Sequence, residues 1–222
     1  HKFFQEESKY GIKAPVYNLA SLPADSPTGA AYLSAMVGCV NFAFANRQLI
    51  TYFVRKVFSE TLTNHRSPLT LLYDVAHNIA KWETHHGKKV LIHRKGATRA
   101  LPAGHSQNPK HYLETGHPAI VPGSMGTSSY VMVGLPQAAE TYYSINHGAG
   151  RTMSRGEAKR TIKKEDFEQK MGEIIYNKPF GVIADEAPQA YKDIDLVVET
   201  LVEAGLTKKV AKLRPLAVIK GD

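Results

Sequence analysis

The chain has 222 residues, of which 43% are hydrophobic and 22% are charged. This composition is enough to bury a sizeable core, and it excludes wholesale disorder. Lys and Arg outnumber Asp and Glu by 28 to 20, which gives a formal net charge of +8 and a sequence pI of about 9.4. A basic balance favours a polyanionic partner such as nucleic acid or a nucleotide, although many soluble proteins are basic too.

The only cysteine, Cys39, excludes an intrachain disulfide and favours a cytoplasmic setting. We expect no apolar run to approach the roughly 20 residues that span a bilayer, so no membrane contact is predicted. The first residues do not resemble a signal peptide, because acidic side chains directly follow two aromatic ones. The absence of an initiator Met indicates a start inside a longer polypeptide.

Residues 1–26 mix Pro, Ser and Asp without periodicity, which predicts an irregular N-terminal arm. Asp25 or Ser26 is a candidate helix N-cap, with Pro27 at the first helical position. From there, apolar residues recur at spacings of three and four as far as residue 57, which predicts a long amphipathic helix, with or without a break. Cys39 lies within it and is expected to be a small buried hydrophobe.

Beyond this helix, short apolar runs bounded by Gly, Pro or Asn predict strands, and further helices follow. Ser154 begins a capping-box sequence, and Gly205 is well placed to end the last helix. The expected class is α+β, with residues 27–222 forming one unit with mixed sheets. The predicted strands are 69–75, 89–93, 119–121, 129–133 and 210–219, and the later helices begin at 154, 164 and 193.

The most informative stretch, residues 146–155, reads Asn-His-Gly-Ala-Gly-Arg-Thr-Met-Ser-Arg. Its two glycines carry no side chain, so backbone N–H groups can approach an anion closely. Arg151 and Arg155 add forked donors suited to phosphate, and a helix beginning at Ser154 points its positive end at the same place. A neutral imidazole at His147 would be a nucleophile toward phosphorus. The alternative is a glycine-rich turn with an incidental histidine.

Four further segments carry weaker signals. His77 follows the first predicted strand and could ligate a transition metal, although a lone histidine is more often structural. The run 93–99 places cations around a glycine, and either holds RNA phosphates or forms a solvated basic turn. The run 122–130 could wrap a nucleotide through amides and hydroxyls or simply lead into a strand, and it lacks a Walker A ending. Tyr191 and Lys220 could contact a base, or could be solvated.

In this order, these segments resemble the RtcB family of RNA ligases, which join an RNA 3′-phosphate or 2′,3′-cyclic phosphate to a 5′-hydroxyl. The resemblance runs from about Ala30 to Gly221. It implies an RtcB-like fold and a GTP- and manganese-dependent RNA ligase of tRNA splicing or RNA repair. Its most specific pieces are His-Gly-Ala-Gly-Arg, His-Arg-Lys-Gly-Ala-Thr-Arg, Pro-Gly-Ser-Met-Gly-Thr and Leu-Arg-Pro-Leu-Ala-Val-Ile-Lys-Gly.

The resemblance also implies roles for individual residues. The histidine that the family guanylylates falls on His147, and one of its manganese-binding histidines falls on His77. The implied partners are RNA ends, GTP and an activating protein. The residues implied to contact GMP or its phosphate are Asn78, Ser124, Met125, Gly126, Thr127, Ser128, Ser129, His147, Gly148, Ala149, Gly150, Arg151, Arg155, Tyr191 and Lys220.

The sequence departs from the family in two places. The family's remaining metal ligands, an Asp, a Cys and two His, precede the region resembled here, and neither Cys39 nor His1 matches them. A metal site built on His77 alone would be open and weak, so we expect this chain to be an inactive fragment of the full enzyme. Residues 143–146 also replace a Gly-Ser/Thr-rich stretch. The competing hypotheses are a catalytically dead RNA-binding remnant and a metal-dependent cyclic phosphoesterase.

Overall fold

A computed structural model describes residues 1–62 and 69–221 of the chain. The chain divides into two compact units. The first unit comprises His1–Leu71 with Ile79–Trp82, and the second comprises Leu72–Asn78 with Glu83–Asp222. Helices combine with several small, mainly antiparallel sheets, which confirms the predicted α+β class.

The elements follow in chain order. The helices are α1 (Lys2–Glu6), α2 (Pro27–Thr61), α3 (Arg155–Thr161), α4 (Lys164–Met171), α5 (Phe180–Ile183) and α6 (Ile194–Glu203). The strands are β1 (Asn78–His85), β2 (Lys88–Lys95), β3 (Ala97–Arg99), β4 (Pro118–Val121), β5 (Ser129–Gly134), β6 (Ser144–Asn146), β7 (Ile175–Tyr176), β8 (Thr207–Leu213) and β9 (Ala217–Val218).

The first unit is dominated by α2, which begins as the sequence predicts. The Ser26 side chain accepts a hydrogen bond from the Gly29 N–H at 3.1 Å. Pro27 occupies the first helical position, where its missing N–H costs nothing. The helix runs without a break for 35 residues. The residues before it are not irregular throughout, because they form α1 and short 3-10 turns at Glu7–Tyr10 and Tyr17–Leu19.

The described residues leave many apolar side chains of α2 exposed, whereas Leu33, Met36, Val40 and Phe44 are partly buried. Gly29 is the buried residue of this helix, and Cys39 is exposed, so its predicted burial is wrong. An 18-residue window of α2 has a mean hydropathy of 1.3, so the helix is long and apolar enough to cross a bilayer by length and composition only. Core helices and signal sequences meet the same two criteria. Its large exposed side chains are Tyr32, Val37, Phe42, Leu49, Ile50, Tyr52, Phe53, Val54, Val57 and Phe58.

The core of the second unit is a three-stranded antiparallel sheet in the order β4-β5-β8. Ile120 pairs with Val131 on one side of the central strand, and Met132 pairs with Lys209 on the other. β5 is a continuous apolar run because both of its faces are covered. Helix α6 adds Ile194 and Val198 to the same hydrophobic cluster.

Most predicted elements of this unit are confirmed. The strands at 89–93, 119–121 and 129–133 form, and so do the three later helices. The Ser154 hydroxyl accepts the Glu157 N–H at 3.2 Å, which completes the capping box. Helix α6 ends just before Gly205, whose φ is +67°.

One predicted strand is wrong, and another is confirmed only in part. Residues 69–75 have no sheet partner, and Tyr73 instead stacks on the buried ring of His117 at a centroid distance of 4.7 Å. The closing strand is interrupted around Pro215, which has no N–H to donate to a sheet. Its two parts join different sheets, because β8 pairs with β5 whereas β9 pairs in parallel with β7.

Candidate functional site

The backbone of Gly96 links the two candidate histidines. Its C=O accepts the His147 N–H at 3.3 Å, and its N–H donates to the His77 C=O at 3.1 Å. The adjoining strands β3 and β6 hold this arrangement, with Ala97 opposite Asn146. Gly96 has a φ of +68°, a left-handed conformation that glycine adopts without strain. The sequence placed these histidines in separate segments, and His77 precedes β1 instead of following a strand.

The imidazole rings of His77 and His147 lie face to face. Their centroids are 4.5 Å apart, and the angle between their planes is 21°. Both residues are half-buried. A Cβ at Gly96 would lie 3.8 Å from the His147 ring, so the glycine also forms part of its immediate surroundings. The predicted nucleophile is therefore neither sealed in apolar packing nor fully solvated.

The loop after His147 offers two backbone amides to a ligand. The Ala149 N–H donates to the Pro122 C=O at 3.0 Å, whereas the amides of Gly148 and Gly150 have no acceptor among the described residues. Gly150 has a φ of +77°. Backbone N–H groups without an internal acceptor can bind an anion. Ala149, which was predicted to line the phosphate site, is buried in the core cluster with 5% of its surface exposed.

The two arginines predicted to line the phosphate site are engaged by the segment that contains Asp185, Glu186 and Tyr191. Arg155 lies 3.0 Å from the Asp185 carboxylate and 2.8 Å from that of Glu186. Arg151 lies over the Tyr191 ring and donates to its hydroxyl at 3.0 Å and to the Asp185 C=O at 2.6 Å. Both guanidinium groups therefore brace this segment against the glycine-rich loop.

This cluster changes the pKa of two of its members. Burial raises the pKa of Tyr191, and its hydrogen bond to the Glu186 carboxylate raises it further, so the hydroxyl stays protonated. Burial alone would raise the pKa of Asp185, but hydrogen bonding to its own amide and the charges of Lys159 and Arg155 lower it. The carboxylate of Asp185 is therefore ionised at neutral pH.

Several predicted nucleotide-binding residues from distant parts of the chain line a cavity of about 220 Å³. Parallel pairing of β7 with β9 carries Lys220 to its wall. The Asn177 side chain holds the Lys220 backbone there with hydrogen bonds of 3.0 and 3.3 Å. The cavity lies beside the glycine-rich loop, because Pro122 lines it and contacts Ala149. Its lining residues are Pro122, Gly123, Ser124, Met125, Ser129, Glu186, Tyr191, Val218 and Lys220.

Ten of the residues predicted to contact GMP or its phosphate do not line this cavity: Asn78, Gly126, Thr127, Ser128, His147, Gly148, Ala149, Gly150, Arg151 and Arg155. Asn78 is exposed at the start of β1. Gly126, Thr127 and Ser128 line a second, larger cavity. The reason is local, because Thr127 turns its hydroxyl back onto the Ser124 N–H at 2.7 Å and closes a tight turn.

Arg94, in the basic run 93–99, is not exposed as an RNA-binding turn would require. Only 3% of this residue is exposed, and its guanidinium holds the Glu83 carboxylate through contacts of 2.7 and 2.9 Å. Arg94 also donates to the Ser144 hydroxyl of β6 at 2.9 Å. Burial raises the pKa of Glu83, but hydrogen bonds from Arg94 and His85 outweigh it and lower the pKa to about 2.

Sequence reasoning missed four residues that organise the site: Gly96, Asn177, Glu186 and Glu83. Gly96 lay inside a recognised run, and its signal was a glycine between two strands. Glu186 lies close to Tyr191 in the sequence, but no role was predicted for it. Asn177 had no signal in the sequence, because its role depends on the pairing of β7 with β9.

The described residues do not complete a manganese site. They contain no group of three or more His, Cys, Asp or Glu side chains arranged to hold a metal ion. His77 is the single predicted ligand in this chain, and manganese favours sites with several oxygen donors. The chemistry that can be derived from this chain is therefore that of its imidazole, amide and cationic groups.

The fold and the site together define an α+β protein with a candidate phosphoryl-binding histidine beside a glycine-rich loop. A family model described as tRNA-splicing ligase RtcB matches residues 1–221. The chain belongs to the RtcB family.

Curated relatives show the same similarity. The chain is 47% identical over 222 residues to the tRNA-splicing ligase RtcB of Methanocaldococcus jannaschii, with 96% of this chain and 23% of the relative covered. It is 44% identical to that of Aeropyrum pernix, with 96% and 46% covered. It is also 44% identical to the RNA-splicing ligase RtcB of Mycobacterium bovis, with 98% and 51% covered. The chain thus spans between about a quarter and a half of the length of these relatives.

Proposed function

We propose that this chain is the nucleophile-bearing part of a GTP-dependent RNA ligase that joins 3′-phosphate or 2′,3′-cyclic phosphate ends to 5′-hydroxyl ends. The observation that carries the proposal is the position of His147. Its ring is half-buried beside His77, and two amides without acceptors among the described residues follow it. Membership of the RtcB family supports the reaction class.

The first step is attack on GTP by the imidazole. A nitrogen of neutral His147 forms a bond to the α-phosphorus, and the bond from that phosphorus to the pyrophosphate oxygen breaks. The Gly148 and Gly150 amides would donate to the phosphoryl oxygens as charge develops on them, since neither has an acceptor among the described residues. The 220 Å³ cavity is smaller than a typical ligand pocket of about 300 Å³ or more. We therefore assign it to the guanine base, with Tyr191 and Lys220 in its wall.

Two transfers follow. An oxygen of the RNA 3′-phosphate attacks the phosphorus of the guanylylated histidine, which frees the imidazole and forms an RNA–GMP anhydride. The 5′-hydroxyl of the second RNA strand then attacks the former 3′-phosphate, and GMP leaves. The family's metal would supply electrostatic stabilisation of these oxygens, and His77 is the residue of this chain that would contact it.

The test is the mass of the intact protein after incubation with GTP and manganese. A polypeptide that joins this chain to the part of the Aeropyrum pernix relative that it does not span supplies the remaining family sequence. We expect this chimera to gain the mass of one GMP, and the isolated chain to gain none. His147→Ala should abolish the adduct, whereas His111→Ala, a change at an exposed histidine, should leave it unchanged.

A chimera that never gains GMP, or one whose His147→Ala variant still does, overturns the proposal. The engagement of Arg155 by the Asp185 and Glu186 carboxylates, and of Arg151 by the Asp185 C=O, favours one alternative, an RNA-binding remnant without catalysis. That alternative predicts RNA binding with no adduct in either form. Hydrolysis of a cyclic phosphate without GTP would instead indicate a phosphoesterase.

A further inference from the structure

A cavity of about 710 Å³ shares Tyr191 with the smaller one. The loop between β4 and β5 contributes to both cavities. Ser124 and Ser129 line the smaller cavity, whereas Thr127 and Ser128 line the larger one. The volume of the larger cavity lies within the range of about 300–1,000 Å³ that is typical of ligand sites.

Three cationic side chains line the larger cavity without an ion pair. Lys170, Lys192 and Arg214 come from three separate segments, and the described residues place no carboxylate within ion-pair distance of any of them. Each of these charges is available to an external anion, so the ligand that fits them carries more than one negative charge.

One of the three acidic residues that line the same cavity, Asp195, has a cationic partner among the described residues. The Asp195 carboxylate accepts from Lys212 at 2.8 Å and from the Tyr130 hydroxyl at 2.6 Å. Asp193 caps α6 by accepting the Asp195 N–H at 2.8 Å. Glu173 is the acidic lining residue that has no such contact among the described residues. The cations therefore outweigh the uncompensated carboxylates.

The larger cavity also connects to the site of His147. The Lys192 N–H donates to the Gly150 C=O at 3.0 Å, and its side chain passes 4.0 Å from where a Cβ of Gly150 would lie. Apolar side chains, Ile174, Pro188 and Leu216 among them, also line the cavity, together with polar residues such as Thr127 and Gln189. Apolar walls beside phosphate-binding cations are the combination that a nucleotide unit requires.

We propose that this cavity holds a nucleotide of single-stranded RNA next to the end that is joined. The inference rests on the proposed function and names the RNA-binding part of the same site. A strand passing from the cavity along Lys192 reaches the glycine-rich loop that carries the candidate nucleophile. The three cations neutralise its phosphates, and the apolar walls contact its base.

The test is fluorescence anisotropy of a labelled single-stranded RNA with a 3′-phosphate, titrated with the full 222-residue chain at several salt concentrations. The double variant Lys170→Gln/Arg214→Gln should bind about tenfold more weakly. Its salt slope should be smaller by about 1.4, since each single-strand phosphate contact contributes about 0.7. The matched control, Lys163→Gln/Lys208→Gln, removes two exposed lysines outside the cavity and should change affinity less than twofold.

Equal losses in the two double variants would reduce the effect to general surface charge and overturn the proposal, as would no loss in the cavity variant. Circular dichroism establishes that both variants are folded. The GMP adduct is measured separately on the chimera without substitutions. A chimera without any adduct would overturn the proposed ligase function. The anisotropy result tests only RNA binding in the larger cavity.

Discussion

Gly96 shows how a residue without a side chain can position two that have one. Its peptide groups bond to His77 on one side and His147 on the other, so the separation of the two rings is set by backbone hydrogen bonds. Such bonds vary less than side-chain rotamers do. The left-handed φ of +68° is the condition that makes both bonds possible at one residue.

This geometry predicts the effect of Gly96→Ala. A Cβ would meet the His147 ring at 3.8 Å, an ordinary contact, so the main penalty is the left-handed backbone, about 1 kcal/mol of unfolding free energy. Gly104→Ala is the matched control, because Gly104 has a φ of +77° and nothing within 4 Å of its Cβ. Both variants should lose similar stability in denaturant titrations. NMR should show shifted His147 ring resonances in Gly96→Ala alone; equal shifts in both would refute the positioning role.

At the scale of elements, the Glu83–Arg94 pair joins the β1–β2 hairpin to the strand that leads to His147. Both residues are buried, and Arg94 reaches Ser144 on β6. A buried pair of this kind adds little net stability over an apolar pair, but removing one partner leaves a buried charge. Loss of either partner is therefore expected to destabilise the fold.

We expect Glu83→Gln to lower the unfolding free energy by about 3 kcal/mol at neutral pH. Because the folded pKa of Glu83 is lowered to about 2, its contribution is complete above the unfolded value near 4.5 and is lost as the pH falls toward 2. The difference between wild type and variant should shrink over that interval in urea titrations. Glu114→Gln, a change at an exposed carboxylate, should cost less than about 0.5 kcal/mol at every pH. A pH-independent difference for Glu83→Gln would contradict the assignment.

Elements with local signals were predictable from sequence, and contacts between distant elements were not. The capping box at Ser154 and the apolar run of β5 depend on neighbouring residues, and both were predicted correctly. The strand expected at 69–75 failed because Tyr73 packs on His117, a contact that no local pattern encodes. Likewise, His147 stood out by its glycines, whereas its stacking on His77 depends on Gly96 and the pairing of β3 with β6.

At the scale of the whole molecule, α2 is the feature that departs most from an ordinary surface. Large apolar side chains recur along it, and Phe42 has 73% of its surface exposed. Contiguous apolar patches of this kind are rare on soluble monomers and mark interaction surfaces. The chain spans no more than about half the length of the relatives considered above, all of which share the family's name.

This exposure predicts strong binding of a hydrophobic fluorescent dye by the isolated chain. The triple variant Phe42→Ser/Ile50→Ser/Phe53→Ser should lower the dye signal severalfold. It should leave the melting temperature of the second unit within a few degrees, since exposed side chains contribute little burial. Leu196→Ser, at a residue 69% exposed on α6, is the control and should change the dye signal little. An unchanged signal in the triple variant would mean that α2 is covered in solution.

The wall of the smaller cavity that Lys220 forms, held by Asn177, has a consequence for dynamics. It joins residues 43 positions apart through two strands of two residues each, so few interactions oppose its transient opening. Amide hydrogens of β7 and β9 should therefore exchange faster than those of β5. A guanine nucleotide that contacts Lys220 would slow this exchange and keep the smaller cavity closed around itself. Binding of the nucleotide would then be coupled to ordering of this wall.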